Sequence, residues 1–222
     1  KYSNPMIPPF FRVETKDSTE STNDDVKAAA EAGESEGYVV QALHQTSGRG
    51  RHGRTWESPE GNLYTSILLR PHARPQHVNF YSFASAMAVY DAVLTAKPDA
   101  NIQLKWPNDV LIDGKKISGI LLEAAPIESD IVDWLVIGIG INISSSPEDP
   151  MYPSTSLKEE GIDISVDLVF EDLLKSFDQW HLTLRFDGFR PIKRAWLAYA
   201  RLGEMTVKLT DEEVKGEFAG MD

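Results

Sequence analysis

The chain has no cysteine. That excludes a disulfide framework, a thiol nucleophile and a zinc ion held by thiolates. No apolar run reaches the roughly 18 residues of a membrane span. The opening stretch, Lys1 to Phe11, is rich in proline and aromatics but lacks the apolar core of a secretory signal. Positive charge is scarce. Thirty-four acidic residues face 22 lysines and arginines, a formal net charge of -12. A general nucleic-acid or membrane-surface binder needs a basic footprint, so both classes are disfavoured. No GxxxxGK[ST] phosphate loop, no nucleophile elbow and no pair of histidines at metal-ligand spacing is present, which makes covalent catalysis and a protein-built metal site poor readings. Internal repeats and low-complexity tracts are also missing.

What remains is a chain of 222 residues, 41% hydrophobic, enough for one large domain, or one domain with a small appendage. Ser21-Thr22-Asn23-Asp24-Asp25 reads as a helix start, with a capping hydroxyl and acids in the first turn, and the helix stops near Gly33. Strands are expected at residues 38–43, 63–69 and 102–106, the last interrupted by Pro107. A long apolar helix covers residues 78–95. Residues 110–112 and 115–123 form a hairpin about Asp113-Gly114. Residues 134–143 are a fully apolar strand carrying Gly138 and Gly140. Two helices follow at residues 166–184 and 189–199, then a last hairpin of residues 205–209 and 214–218. This order predicts an α+β fold with a mixed β-sheet and flanking helices.

The stretch from Gly48 to Gly53, Gly-Arg-Gly-Arg-His-Gly, fits the pattern of a dinucleotide-binding fingerprint. The fingerprint needs a helix after the third glycine and an acid about 20 positions further on. Here Gly53 is followed by Arg-Thr-Trp-Glu-Ser-Pro-Glu-Gly-Asn, a run of breakers and turn formers, and no Asp or Glu occurs between Gly61 and Tyr90. The nucleotide-fold reading therefore fails. A Gly/Arg loop remains, and guanidinium forks suit phosphate or carboxylate.

Polar residues gather at the ends of the expected elements: Gln45, Arg49, Arg51 and Arg54 after one strand, Lys105, Asn108 and Asp109 about Pro107, Lys116 in the hairpin, and Asn142 at the end of the glycine-bearing strand. Each has a plainer explanation. The arginines fit a solvated basic loop as well. Lys105 fits a surface position, Gly138 and Gly140 a strand kink, Asn142 a turn, Thr22 and Asn23 a helix cap, and Trp56 the core. Residue chemistry alone supports an α+β domain that positions a phosphate- or carboxylate-bearing substrate by cations.

The combination is more specific than its parts. GRGRHGRTWESPEGNLYTSILLRP, KWPNDVLIDGKKISGILLE and VIGIGINI occur in that order, preceded by STND and followed by PSTSL at Ser154 to Leu157. Together they resemble biotin–protein ligases over nearly the whole chain from about residue 18. The resemblance implies a catalytic fold like that of class II aminoacyl-tRNA synthetases over residues 1–200, and a cytoplasmic enzyme. Biotin's carboxylate would attack the α-phosphate of ATP, with Mg2+, to give biotinyl-5′-AMP and pyrophosphate. A lysine of the biotin carboxyl carrier domain of a carboxylase would then take the biotin. Two alternatives are a lipoate–protein ligase, which shares the fold but lacks the paired GRGRxGR and KWPND signatures, and a Gly/Arg-loop nucleic-acid-binding module, which the net charge opposes.

Carried over by position, the resemblance implies that Ser21, Thr22, Asn23 and Gln45 line the ureido head of biotin. Gly48, Arg49, Gly50 and Arg51 match the loop that folds over biotin and its adenylate. Gly119 and Gly138 match backbone flush against biotin. Arg54, Trp56, Lys105, Asn108 and Asn142, with Arg49 and Arg51, match the nucleotide side. Lys116 matches the lysine between the biotin carboxylate and the α-phosphate. Lys116, Lys105, Arg51 and Asp109 form the implied catalytic set, with Asp109 orienting Lys105 or the incoming lysine. No metal-ligand set is expected on the chain itself, and no DNA or membrane partner; a homodimer is left open. Some relatives carry an N-terminal helix-turn-helix. Here the motifs begin at Ser21, so none is expected. Relatives also end in a small SH3-like barrel, and one hairpin cannot close a barrel. Residues 201–222 are accordingly expected to be an incomplete C-terminal SH3-like β domain.

Overall fold

A computed structural model of the protein describes residues 4–128, 130–149, 151–201, 203–209 and 212–218. In chain order the elements are β1 (Arg12–Thr19), α1 (Thr22–Glu31), β2 (Tyr38–Gln45), β3 (Leu63–Leu69), α2 (Pro75–Val78), α3 (Phe80–Ala96), β4 (Ile102–Lys105), β5 (Asp109–Ile112), β6 (Lys115–Ala124), β7 (Leu135–Ile141), α4 (Val166–Asp187), α5 (Arg190–Tyr199), β8 (Gly203–Leu209) and β9 (Glu212–Phe218). The first seven strands make one mixed sheet in the order β1-β2-β3-β7-β6-β5-β4. Only β1 and β2 run parallel; every other neighbouring pair is antiparallel.

Strand β1 has no counterpart among the expected elements. Its sequence, RVETKDST, lacks apolar alternation because it is an edge strand with mostly exposed side chains. Backbone pairing to β2, rather than burial, defines it. The apolar helix expected at residues 78–95 is α3 with the short α2 before it, meeting at Asn79. Residues Ser82 to Tyr90 of α3 are all buried, as a helix apolar on every side should be. The tight hairpin turn is as expected: Asp113 and Gly114 both take positive φ, 48° and 77°.

The two faces of the sheet are covered unequally, and the period of two along β7 shows how. Leu135, Ile137, Ile139 and Ile141 point into the large core with α3, α4 and α5. Val136 joins a smaller cluster with Val26 and Ala30 of α1, Val40, Leu68 and Trp134. Gly138 and Gly140 share the face of Val136. The α1 face therefore starts apolar at one end and continues as bare backbone beyond it. Strands β8 and β9 pair with each other in a separate two-stranded sheet, the hairpin expected there; the turn between them lies outside the described residues.

Candidate active site

The bare part of that face is a trough floored by three glycines. Gly119 of β6 pairs with Gly140 of β7, and Leu121 with Gly138. Side chains from α1 and the Gly/Arg loop reach over it. A Cβ at Gly138 would stand 2.3 Å from Asn23 Oδ1, and one at Gly140 would stand 2.7 Å from ring atoms of Trp56. Gly119 likewise lies under the Trp56 ring. Glycine is required at these positions because the overlying groups sit on the backbone itself.

One end of the trough is polar. Ser21, Thr22 and Asn23 are buried. Ser21 occupies the cap position of α1, yet its side chain makes no capping bond, and the neighbouring Thr22 hydroxyl serves the sheet side. The Thr22 backbone N–H donates to Gln45 Oε1 at 2.9 Å. Thr22 Oγ1 is 2.7 Å from Ser66 Oγ, and Ser66 Oγ is 2.5 Å from Asn23 Oδ1. Asn23 Nδ2 donates to Glu123 Oε1 at 2.9 Å.

The Gly/Arg loop is a small closed hairpin. Trp56 N–H donates to Gly48 O at 2.8 Å and Gly50 N–H to Arg54 O at 2.7 Å, about one 3₁₀ turn at Arg51–Gly53. No helix follows it before β3. Gly48 is packed against Trp56 O, Ser58 Oγ and Gln45 Nε2, which leaves no room for a side chain. Arg49 grips Asp24 with both Nη atoms, each at 2.8 Å, and reaches Glu123 at 2.7 Å. Lys27 adds a 3.0 Å pair to Glu123. Burial pushes the Glu123 carboxyl up, but the hydrogen bonds from Asn23, Arg49 and Lys27 together outweigh it and hold the group down at about 2. The Arg49 guanidinium is raised further above its ordinary range, chiefly by its hydrogen bond to Asp24, against burial. Arg54 donates to the Tyr152 hydroxyl at 2.9 Å and lies over its ring. Arg51 is exposed.

The other end of the trough carries Lys116. A bulge puts it there. Between Val110 and Leu111 the β5–β6 register shifts, so Ile117 has no partner on β5. Ile117 turns into the large core, and Lys116 comes to stand 5.2 Å from the centre of the Trp56 ring. The segment before α4 supports this position: Lys116 N–H donates to Pro153 O at 2.8 Å, and Thr155 N–H to Lys116 O at 2.9 Å. The Asp109 carboxylate pairs with Lys116 at 2.9 Å; Lys105 is its cross-strand neighbour.

Two expected nucleotide contacts are engaged within the protein. Asn108 accepts from Ser82 Oγ at 2.5 Å and donates to Ile120 O at 3.0 Å, tying α3 to β6. Buried Asn142 donates to Thr155 O at 3.1 Å. Trp56, by contrast, has a buried indole Nε1 with no hydrogen-bond partner among the described residues, as does Ser118 Oγ.

The family model described as the biotin/lipoate A/B protein ligase family matches residues 15–142, which span α1, the Gly/Arg loop and the glycine trough. The chain belongs to this ligase family. Among its relatives is a biotin–[acetyl-CoA-carboxylase] ligase of Paracoccus denitrificans, 37% identical over 213 residues, covering 92% of this chain and 88% of that one. A bifunctional ligase/repressor of Bacillus subtilis is 40% identical over 175 residues, 74% of this chain and 52% of that one. The solved biotin protein ligase of Aquifex aeolicus in complex with biotin and ATP superposes with a TM-score of 0.82 at 29% identity, covering 95% of this chain and 88% of that one.

Sequence reasoning missed Asp24, Glu123 and Ser66, each of which holds a site residue. Glu123 carried a readable signal: counting back by two from it on β6 reaches Leu121 and Gly119, the same face as the trough. Ser66 carried none, since its role depends on the crossing of α1 over β3.

Proposed function

We propose that the protein is an ATP-dependent biotin–protein ligase. It joins the carboxylate of biotin to the α-phosphate of ATP, forming biotinyl-5′-AMP as pyrophosphate leaves. The amine of a lysine on a biotin carboxyl carrier domain then attacks the acyl carbon, AMP departs, and the amide nitrogen loses its proton. The observation that carries this reading is the layout of the trough: hydrogen-bonding groups at the Thr22–Asn23–Gln45–Ser66 end, a glycine floor under the Trp56 ring in the middle, which the ring must uncover to admit a ligand, and Lys116 at the far end. A flat bicyclic ring with N–H donors and a carbonyl fits the first, an aliphatic chain the second, and a carboxylate meeting a phosphate the third.

In this reading Lys116 offsets the negative charge that builds where two anions meet, and Arg49, Arg51 and Arg54 close over the adenylate. Lys105 serves the phosphate side, and Asp109 positions Lys116. Trp56 walls the nucleotide side, where its unpartnered N–H gains an acceptor. Asn142 and Asn108 support that side from behind. Gly48, Gly50, Gly119 and Gly138 give the close backbone approach. The division into a ligase domain over residues 1–200 and the start of an SH3-like unit over residues 201–222 belongs to the same reading, as does a cytoplasmic setting with no DNA partner. No helix among the described residues is long and apolar enough to cross a membrane.

Magnesium fits as a passenger on ATP. Among the described residues no three acids or histidines converge into a metal cage, and a magnesium ion needs none when phosphate oxygens, water and one carboxylate complete its shell. When bound, it would neutralise the departing pyrophosphate.

A lipoate ligase is the nearest competitor within the family. The dithiolane ring of lipoate has neither N–H nor carbonyl, so the polar end of the trough would face it with buried, unanswered groups. The test is pyrophosphate release from ATP with biotin or lipoate as the acid, followed by transfer to a carrier domain. Biotin-dependent release is expected; release with lipoate alone overturns the reading.

A further inference from the structure

Glu123 takes no part in the proposed chemistry, yet it terminates the hydrogen-bond chain that lines the polar end of the trough. An ionised carboxylate only accepts hydrogen bonds. The Asn23 atom facing it must therefore be the NH2 group, as the 2.9 Å contact from Nδ2 to Oε1 requires. The amide oxygen is then turned the other way, over Gly138. There it accepts from Ser66 Oγ at 2.5 Å. Ser66 has one proton, and it points at Asn23. The 2.7 Å contact between Ser66 and Thr22 hydroxyls must accordingly be donated by Thr22, which leaves its hydroxyl no proton for Gln45 Oε1 at 3.3 Å; that oxygen accepts from the Thr22 backbone N–H instead. The chain has one sense, Thr22 to Ser66 to Asn23 to Glu123, and the carboxylate at its end fixes that sense.

We propose that Glu123 is a positioning residue for substrate specificity. By holding the Asn23 amide with its oxygen over the trough, it makes the polar end accept hydrogen bonds, so that this end selects a ring bearing N–H donors. The proposal rests on the biotin reading of the site. With the amide reversed, Nδ2 would face the trough, and a ureido N–H would meet another donor. Leaving such a buried group unanswered reduces affinity about tenfold to a hundredfold.

The exchange Asn23→Asp with Glu123→Gln offers a reconstruction. Gln at 123 can donate its NH2 to an aspartate at 23, whose second oxygen again faces the trough as an acceptor. The three proteins to compare are the unaltered chain, Glu123→Gln, and the exchanged pair. Each is titrated calorimetrically with biotin and with biotin methylated on a ureido nitrogen, and thermal melting confirms folding. The unaltered protein is expected to favour biotin strongly. Glu123→Gln should lose tenfold or more for biotin with little change for the methylated analogue, and the exchanged pair should regain the preference. If Glu123→Gln weakens both ligands equally, Glu123 merely supports the structure and the proposal falls. If Glu123→Gln does not fold, the exchanged pair decides: a folded pair without preference for biotin also overturns it. If the unaltered protein binds no biotin, the proposed function fails first, and this inference with it.

Discussion

Asp109 Oδ1 lies 2.9 Å from Lys116 Nζ, although the two residues are not cross-strand partners: Asp109 faces Gly119 in the register and Lys116 faces Leu111. The ion pair spans the bulge that brings Lys116 onto the trough face. In the proposed reaction it would fix a long, flexible cation where the carboxylate and α-phosphate meet. Lys116→Ala is expected to slow biotinyl-adenylate formation about a hundredfold, roughly 3 kcal/mol of barrier, with a smaller change in ATP affinity. Single-turnover pyrophosphate release and direct ATP binding measure the two. A normal adenylation rate in this variant would remove Lys116 from its assigned role.

If Asp109 acts through Lys116, the two must be coupled. Asp109→Asn should lower the adenylation rate by about tenfold, less than the loss of the lysine, because it loosens Lys116 without deleting it. In Lys116→Ala the same change should add almost nothing. Residues that act as a pair depart from additivity. Independent, multiplying effects in this four-protein cycle would show that Asp109 works elsewhere.

Gly138→Ala tests the floor of the trough. The added methyl would lie 2.3 Å from Asn23 Oδ1, so Asn23 must move and its bonds to Ser66 and Glu123 must break. Biotin affinity should fall at least tenfold, the scale of one lost hydrogen bond in a buried site. The fold should survive, since the β3–β7 and β6–β7 pairing does not use the side chain. Calorimetric titration with biotin, alongside a melting curve, gives the answer; unchanged affinity would place biotin away from Gly138.

The motifs were legible because they combine element ends with unusual residue types. The apolar strand with two glycines, the Asp113-Gly114 turn and the Gly/Arg loop could all be placed from local rules. Strand β1 could not, because an exposed edge strand has no burial pattern to read. The bulge beneath Lys116 was equally invisible, since a one-residue register shift depends on the partner strand β5. Asn108 and Asn142 also hold protein partners that no motif reveals: Ser82 and Ile120 for the first, Thr155 for the second. Of the three loop arginines, Arg49 is answered within the protein by Asp24 and Glu123, one in the helix start and the other far away in sequence, a pairing the loop's own sequence does not reveal.

That answer predicts how the loop behaves before ligand binds. Arg49 is a tryptic site, and its two-pronged grip on Asp24 restrains it. Asp24→Ala should increase the rate of tryptic cleavage at Arg49 severalfold in the ligand-free protein, as losing a charge-assisted pair of about 1 kcal/mol shifts a local opening equilibrium about fivefold. Biotin with ATP should restore protection in the variant if the adenylate takes over as anion. Equal cleavage of both proteins without ligand would mean that the pair does not restrain the loop.

The final expectation concerns acid. Glu123 is held down from its ordinary 4.5 to about 2, because the hydrogen bonds from Asn23, Arg49 and Lys27 outweigh the effect of burial. In the unfolded chain the same carboxyl titrates near its ordinary value. Above that value both states are ionised, and the stabilisation from the three donors is complete. As the pH falls from 4.5 towards 2, the unfolded chain takes up the proton while the folded protein resists it, so stability declines with falling pH. Glu123→Gln has no proton to bind. The gap in melting temperature between the unaltered protein and this variant should therefore be widest above about pH 5 and close steadily below it. With the group partly open to solvent, the contribution is on the order of 1 kcal/mol, or about 2–4 °C for a chain of this size. Other carboxylates titrate in the same range, but they are common to both proteins and cancel in the difference. A gap that stays constant from about pH 6 to pH 3 would mean that Glu123 gains no net stabilisation from its donors.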